Sequence, residues 1–361
     1  MRPLDPGQPR SILVRGTNWV GDAVMTLPAL AALGAACPQA RITLLAKPWV
    51  AAVYQASPVV DQVLAIDPAR RQGLAGLWRL AGELRDQGFD WAVLFQNAFG
   101  AALTVALAGI PLRLGYASDG RGLLLSHAIP RTPADRQVHE TAYYLRMLHR
   151  AGLAAAPPDL GLTPELRLDP GDRTWAGEFL AQKGLAGARL LGLAPGAAFG
   201  PAKCWPAERF AATAQSLLQD DFDAVLLFGS PGEAATTPRV AGGLSGARVI
   251  DLAGATSLGQ ALALLDRLAL FITNDSGLMH AAAALGAPTL AVFGSTNPVT
   301  TAPKGPWVEL VRAPLECSPC LKPVCPRGDL ACFAPITPEV ALTAARALLA
   351  RRAAGAAGGA R

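Results

Sequence analysis

Charge is scarce in this sequence. Only 16% of its 361 residues are Asp, Glu, Lys or Arg, while 51% are hydrophobic. That balance excludes a disordered chain and leaves enough apolar mass for more than one core. At about 150 residues per domain, the length points to two domains, three at most. The charge that is present nearly cancels: 32 Lys and Arg against 27 Asp and Glu leave +5, with an isoelectric point near 9.0. The surplus is spread along the chain, and part of it falls after Arg346. It draws no nucleic-acid footprint, and it suits an acidic small substrate or an anionic membrane surface equally well.

Long apolar runs are missing too. The longest near the middle, Ala101 to Leu112, covers 12 residues, too few to cross a bilayer. The opening MRPLDPGQPR has no apolar signal core, so the protein is expected in the cytosol. The common nucleotide loops are absent. There is no GxGxxG, no GxxxxGK[ST], and no Asp-x-Asp in a suitable place, which removes dinucleotide binding and P-loop chemistry. Six cysteines are present, Cys37 and Cys204 alone and four together at 317, 320, 325 and 332. In a cytosolic chain of this size they do not read as a disulfide framework.

What is there is alternation. SILVRG (11–16), RITLLA (41–46), VLAID (63–67) and WAVLFQ (91–96) read as buried strands, with helical patterns at 23–35, 74–87 and 99–108. Near-continuous apolar strands are what a parallel sheet covered on both faces requires. The pattern breaks over about 151–188, where Pro157, Pro158, Pro164 and Pro170 stand, with a connecting helix around 173–183. It then restarts with strands at 190–195, 224–229, 249–252, 270–273 and 288–294 and helices at 207–219, 258–268 and 278–285. The expected fold class is therefore α/β, as two doubly wound, Rossmann-like domains. The boundaries are 1–165 and 166–340, with a C-terminal helix and Ala/Arg/Gly-rich tail over 341–361. Such sheets place ligands outside the carboxyl ends of their strands, and two of them facing one another make an interdomain cleft.

Three strand-to-helix turns carry chemistry. The first is Arg15-Gly16-Thr17-Asn18-Trp19-Val20-Gly21-Asp22. Asp22 there is either an N-cap or a general base presenting its carboxylate to a substrate hydroxyl. The second is PGAAFGPAKCWP, residues 195–206. Its Gly196 and Gly200 let backbone amides approach a phosphate and its Lys203 adds a point charge, unless Lys203 is simply solvated. In the third, Asp275-Ser276-Gly277 opens a helix that continues to His280. That makes an anion site by geometry and by dipole, or a capped helix with His280 packed inside it. Glu233, after the strand 224–229, either accepts hydrogen bonds from a ribose or begins a helix. Of the basic residues Arg15, Lys47, Arg113 and Arg121, each reads as solvated surface or as a contact for an acidic acceptor.

WVGDAVMTLPAL (19–30), PGAAFGPAKCWP (195–206) and TNDSGLMHAAAALGAPTLAVFGSTNP (273–298) resemble glycosyltransferase family 9. Within it they are most similar to the lipopolysaccharide heptosyltransferases, the second type best. The resemblance runs in order over about residues 11–340. It implies the GT-B fold and an inverting transfer of heptose from ADP-heptose to the first heptose of the lipopolysaccharide inner core, carried on Kdo and lipid A. Asp22 then corresponds to the general base, with Asn18, Trp19 and Gly21 on the acceptor side. Lys203 corresponds to the lysine that neutralises the departing diphosphate. Gly196, Glu233, Thr256, Asp275, Ser276, Gly277 and His280 fall on the donor side. No metal or other cofactor is required, and a peripheral contact with the cytoplasmic face of the inner membrane is expected because the acceptor is a lipid. Cys317, Cys320, Cys325 and Cys332 are a weaker alternative, a structural metal site holding their loop.

Overall fold

The computed structural model describes residues 4–5, 7, 9–67, 73–154, 162–220 and 222–358, with the side chains of 356–358 left aside. The chain divides into two compact units, Met1–Arg167 and Leu168–Arg361.

The first unit is built on six strands: β1 (Ser11–Arg15), β2 (Arg41–Ala46), β3 (Gln62–Ala65), β4 (Trp91–Leu94), β5 (Leu112–Ala117) and β6 (His127–Pro130). Between and after them run α1 (Val20–Ala36), the short α2 (Ala52–Gln55), α3 (Gly73–Arg85), α4 (Phe99–Leu107) and α5 (Glu140–Arg150). The spatial order is β3-β2-β1-β4-β5-β6, and the pairs are parallel. The chain starts at the sheet centre, winds out to β3, then returns to β4 beside β1. That reversal is the topological switch point, where open α/β sheets bind ligands. Ile12, Leu13 and Val14 of β1 have no exposed surface, the burial a two-sided parallel sheet imposes. α5 packs along α1. Its Tyr143 stacks on Tyr116 of β5 at 4.3 Å, and its Tyr144 meets Phe95 edge-on at 5.5 Å.

The second unit repeats the plan. Its strands are β7 (Leu190–Ala194), β8 (Ala224–Leu227), β9 (Val249–Asp251), β10 (Leu268–Asn274), β11 (Thr289–Phe293) and β12 (Val308–Arg312). Its helices are α6 (Pro170–Gln182), α7 (Ala207–Leu217), α8 (Thr237–Ala241), α9 (Leu258–Leu265), α10 (Gly277–Ala284), α11 (Pro298–Thr301) and α12 (Pro338–Gly358). The order β12-β11-β10-β7-β8-β9, again with parallel pairs, places the switch point between β7 and β10. α6 begins at Pro170 behind Asp169, whose carboxylate accepts from the Gly171 amide at 2.8 Å, an N-cap with proline at the first helical position. α12 returns to α7 and β12 and buries Ala341, Ala345 and Leu348.

The central strands stand where the apolar runs predict them. β5, β6, β12 and α5 are additions. β6 and β12 lie at sheet edges, where one flank needs no apolar cover, so Val308-Glu309-Leu310-Val311-Arg312 mixes charge into the strand. Of the expected linker, Pro157 and Pro158 lie outside the described residues. The connecting helix occupies 170–182, three residues earlier than its apolar pattern suggests, because Asp169 and Pro170 set its start.

Candidate active site

In the first unit, the switch point joins the end of β1 to the end of β4. Arg15 closes β1 and is buried, with a guanidinium nitrogen 2.9 Å from Asn18 Oδ1 and another 3.1 Å from the Leu45 carbonyl. Burial pushes its pKa down to about 10. Asn18 is thereby held by its side chain, and its carbonyl accepts from the Trp49 indole at 2.9 Å. Trp19, 59% exposed, occupies the N-cap of α1 without any side-chain capping bond. Asp22 is therefore not the cap: it is the third residue inside the helix, half-buried in the first turn. An acid there is favoured by the helix dipole. Gly21 is buried one residue before it.

A second carboxyl accompanies Asp22. Glu140 opens α5, which packs on α1. Burial, and next the charge of Asp22, push the Glu140 pKa up to about 7. Arg131 pulls the other way and lies 5.4 Å from the Tyr143 ring. Glu140 escapes a sequence reading because it sits in no glycine-rich turn; the amphipathic run ETAYYLRMLHR is the signal that would have located it.

Two of the basic candidates prove structural. Arg121 has no exposed surface. It donates to the Tyr116 carbonyl and to Asn97 Oδ1, both at 2.9 Å, and to the Gln96 carbonyl; burial lowers its pKa to about 10. Arg15, described above, is likewise committed to the protein, so neither is solvated surface. Arg113 donates to Leu124 and Ile110 carbonyls at 2.7 and 2.5 Å. Lys47 lies over the Trp49 ring at 5.5 Å.

In the second unit, the loops after β7 and β10 meet at the other switch point. Asn274, wholly buried, ties them together: its amide donates to the Pro195 carbonyl at 2.7 Å, and its carbonyl oxygen accepts from the Trp205 amide at 2.9 Å. Lys203 and Asp275 form an ion pair at 2.9 Å, with side chains 17% and 6% exposed. Lys203 also stands 5.1 Å over the Phe199 ring, so it is not a solvated loop lysine. Ser276 caps α10. Its hydroxyl accepts from the Met279 amide at 3.3 Å and meets Thr273 Oγ1 at 3.1 Å. With that hydroxyl and the Met279 amide engaged, an anion here would be met by the Gly277 and Leu278 amides and by Lys203. His280 is buried at the end of the first turn.

Glu233 lies over Gly196: a β-carbon on that glycine would stand 2.6 Å from Glu233 Oε1. The other carboxylate oxygen, Oε2, accepts from the Ser230 amide at 2.8 Å in a capping box. Thr256 is half-buried just before Ser257, the cap of α9, beyond edge strand β9. It shares the sheet edge but lies two strands from β7. Two further residues belong on this edge. Ser295 and Thr296 follow β11, and their buried hydroxyls have no partner among the described residues. The phrase GSTNP after a buried strand is the signal for them.

Among the described residues, no three His, Cys, Asp or Glu side chains are grouped to hold a metal ion. The alternative metal site at Cys317, Cys320, Cys325 and Cys332 therefore has no preassembled ligand set. The four are free thiols lining one cavity of about 90 Å³.

The sequence model of glycosyltransferase family 9 (heptosyltransferase) matches residues 77–331. This chain belongs to glycosyltransferase family 9. As a family 9 chain it is a glycosyltransferase, and its relatives narrow the comparison. It is 32% identical over 310 residues to lipopolysaccharide heptosyltransferase 2 of Escherichia coli K12, covering 83% of this chain and 87% of that protein. The Salmonella typhimurium LT2 protein of the same name is also 32% identical, over 321 residues, with the same coverage. The solved structure of E. coli ADP-heptose lps heptosyltransferase II superposes with a TM-score of 0.79 at 30% identity, covering 95% of this chain and 99% of that one. A family 9 glycosyl transferase from Veillonella parvula shares the fold at a TM-score of 0.83 and 24% identity, covering 97% and 99%.

Proposed function

We propose that this family 9 chain transfers heptose from ADP-heptose to the first heptose of the lipopolysaccharide inner core, inverting the anomeric centre in one displacement. The Lys203–Asp275 pair at the β7/β10 switch point, beside the N-terminus of α10, carries the reading, because it holds an ammonium next to a helix N-terminus, surroundings that suit a departing diphosphate. The named relatives supply the substrate class.

The acceptor hydroxyl is a weak nucleophile. Asp22 accepts its proton as the new C–O bond forms. The bond from the anomeric carbon to the β-phosphate oxygen breaks, and its electron pair departs with ADP. Negative charge grows on that phosphate, and Lys203 with the first amides of α10 stabilises it there, where binding is specific to the transition state. Gly196 and Glu233 shape the nucleotide side. The reaction needs no covalent enzyme intermediate. It calls for no bound metal, since lysine and helix dipole supply the charge a metal would. The acceptor is a lipid, so the reading includes contact with the cytoplasmic face of the inner membrane.

The test is transfer from ADP-heptose to purified Kdo–lipid A acceptors with and without the first heptose. Product only from the heptose-bearing acceptor is the expected result. Product from the heptose-free acceptor would make this the preceding transferase. Absence of product from both, with tight ADP binding, would point to another sugar or acceptor.

A further inference from the structure

α5 is capped by a histidine, an unusual choice. His139 stands at its N-cap, and the ring Nδ1 accepts from the Thr141 amide at 3.2 Å. Asn, Asp and Ser serve that position best, so capping alone does not call for an imidazole. The residue is also buried, 5% exposed. A ring nitrogen that accepts from an amide carries no proton, so the neutral ring holds its proton on Nε2. His139 therefore offers a donor on the side of the ring away from the cap.

The packing of α5 on α1 indicates what receives it. Both helices start at the carboxyl edge of the first sheet, α1 after β1 and α5 after β6. Their turns are level. Thr26 lies one turn beyond Asp22 on α1, and Tyr144 one turn beyond Glu140 on α5. Thr26 Oγ1 meets the Tyr54 hydroxyl at 3.1 Å, and Tyr54, Asp22 and Glu140 all lie close enough to the buried Tyr144 to disfavour its ionisation. One turn nearer the helix starts, this register sets the Asp22 turn of α1 beside the His139–Glu140 turn of α5. Asp22 and His139 are each engaged by further groups of the chain.

We propose that His139 is a positioning residue for the base: its Nε2–H donates to one oxygen of the Asp22 carboxylate and leaves the other for the acceptor hydroxyl. A carboxylate held in this way has lost its rotamer freedom before the substrate arrives. The acceptor proton goes to Asp22; His139 gives a hydrogen bond and transfers no proton. Glu140 and Tyr144 of α5, Tyr54 of α2 and Arg131 after β6 also face this place. Arg131 is the cation among them, and its charge bears on Glu140 and Tyr143. The inference rests on Asp22 being the base of the proposed transfer.

Two variants of the full chain separate positioning from capping. His139→Asn keeps a capping oxygen and lacks the far nitrogen. His139→Gln reaches as far as Nε2 with an amide N–H and caps poorly. The expected melting order is Asn above Gln, and the expected order of turnover is the reverse. In the Asn variant kcat should fall about 100-fold with the KM for ADP-heptose unchanged, and Gln should restore about tenfold of it. Turnover that follows the melting order, or a KM that rises as kcat falls, would overturn the inference. A second readout needs no activity. The chain has four histidines, so imidazole nitrogen-15 spectra can follow His139 alone. Asp22→Asn should lower the pH at which His139 titrates by about one unit, because a neighbouring carboxylate favours the charged ring. An unmoved His139 would overturn the inference whatever the turnover. A shifted His139 in a chain that transfers no heptose would support the contact and sink the reading of function.

Discussion

Lys203 and Asp275 stand 72 residues apart in sequence and 2.9 Å apart in space. At the residue scale this pair joins the loops after β7 and β10 and, on the proposed reading, holds an ammonium where a phosphate binds. Removing the lysine leaves a nearly buried carboxylate without its partner, so Lys203→Ala should cost stability, about 1.5–3 kcal/mol by the usual worth of a hydrogen bond to a charged group. Urea titration measures it. The same variant should bind ADP about 10–100-fold more weakly, the equivalent of one lost charged contact. Asp275→Asn should lose stability while keeping most of the ADP affinity, because the lysine remains. Glu140 gives a second residue-scale prediction. Its folded pKa is raised from 4.5 to about 7. Between those values the folded state holds a proton that the unfolded state has lost, so this group lowers stability as pH rises through that window. Glu140→Gln should therefore melt higher than the parent at pH 8, with the gap closing by pH 4. A gap that widened toward pH 4 would contradict the assignment.

At the element scale, the second unit depends on how closely α6 approaches α9. A β-carbon on Gly259 would stand 2.0 Å from Asp172 Oδ2, and α9 is otherwise a well-capped helix with Ser257 and Gln260 in a capping box. Gly259→Val should push α6 away and destabilise the protein by about 1–3 kcal/mol. In isolated helices glycine is the poorer residue, so a stabilised variant would show that the two helices are not in contact. Elements also set the limit of what the sequence discloses. β1, β4, β7 and β10 are legible because a strand buried on both faces must be apolar throughout. β6 and β12 are hidden because an edge strand need not be. α5 contains no strand-like apolar run: its buried Tyr143 and Tyr144 stand together among the polar residues of ETAYYLRMLHR, so only its helical periodicity marks it, and with it goes Glu140. The glycine-rich turns were legible, but their hydrogen bonds were not. Asp22 reads equally as a cap or an inner residue until Trp19 is seen at the cap position, and Arg121 reads as surface until its side chain is found wholly buried. Partners such as Asn97 and the Gln96 carbonyl come from the turn after β4, and no local pattern announces them.

At the scale of the whole molecule, two sheets of the same winding carry two switch points, one with Asp22 and one with Lys203, Asp275 and α10. On the proposed reading that duplication divides the labour: one unit supplies the base, the other holds the nucleotide. The strand pattern predicts both sheets, and the three turn motifs predict which ends of them matter, because ligands gather where a doubly wound chain reverses. The most direct test of the division is to measure turnover and ADP affinity together on Asp22→Asn. Turnover should fall about 100–10,000-fold, the usual worth of a general base, with ADP affinity unchanged. Unreduced turnover, or ADP affinity lost along with it, would show that Asp22 is not a base acting apart from the nucleotide site.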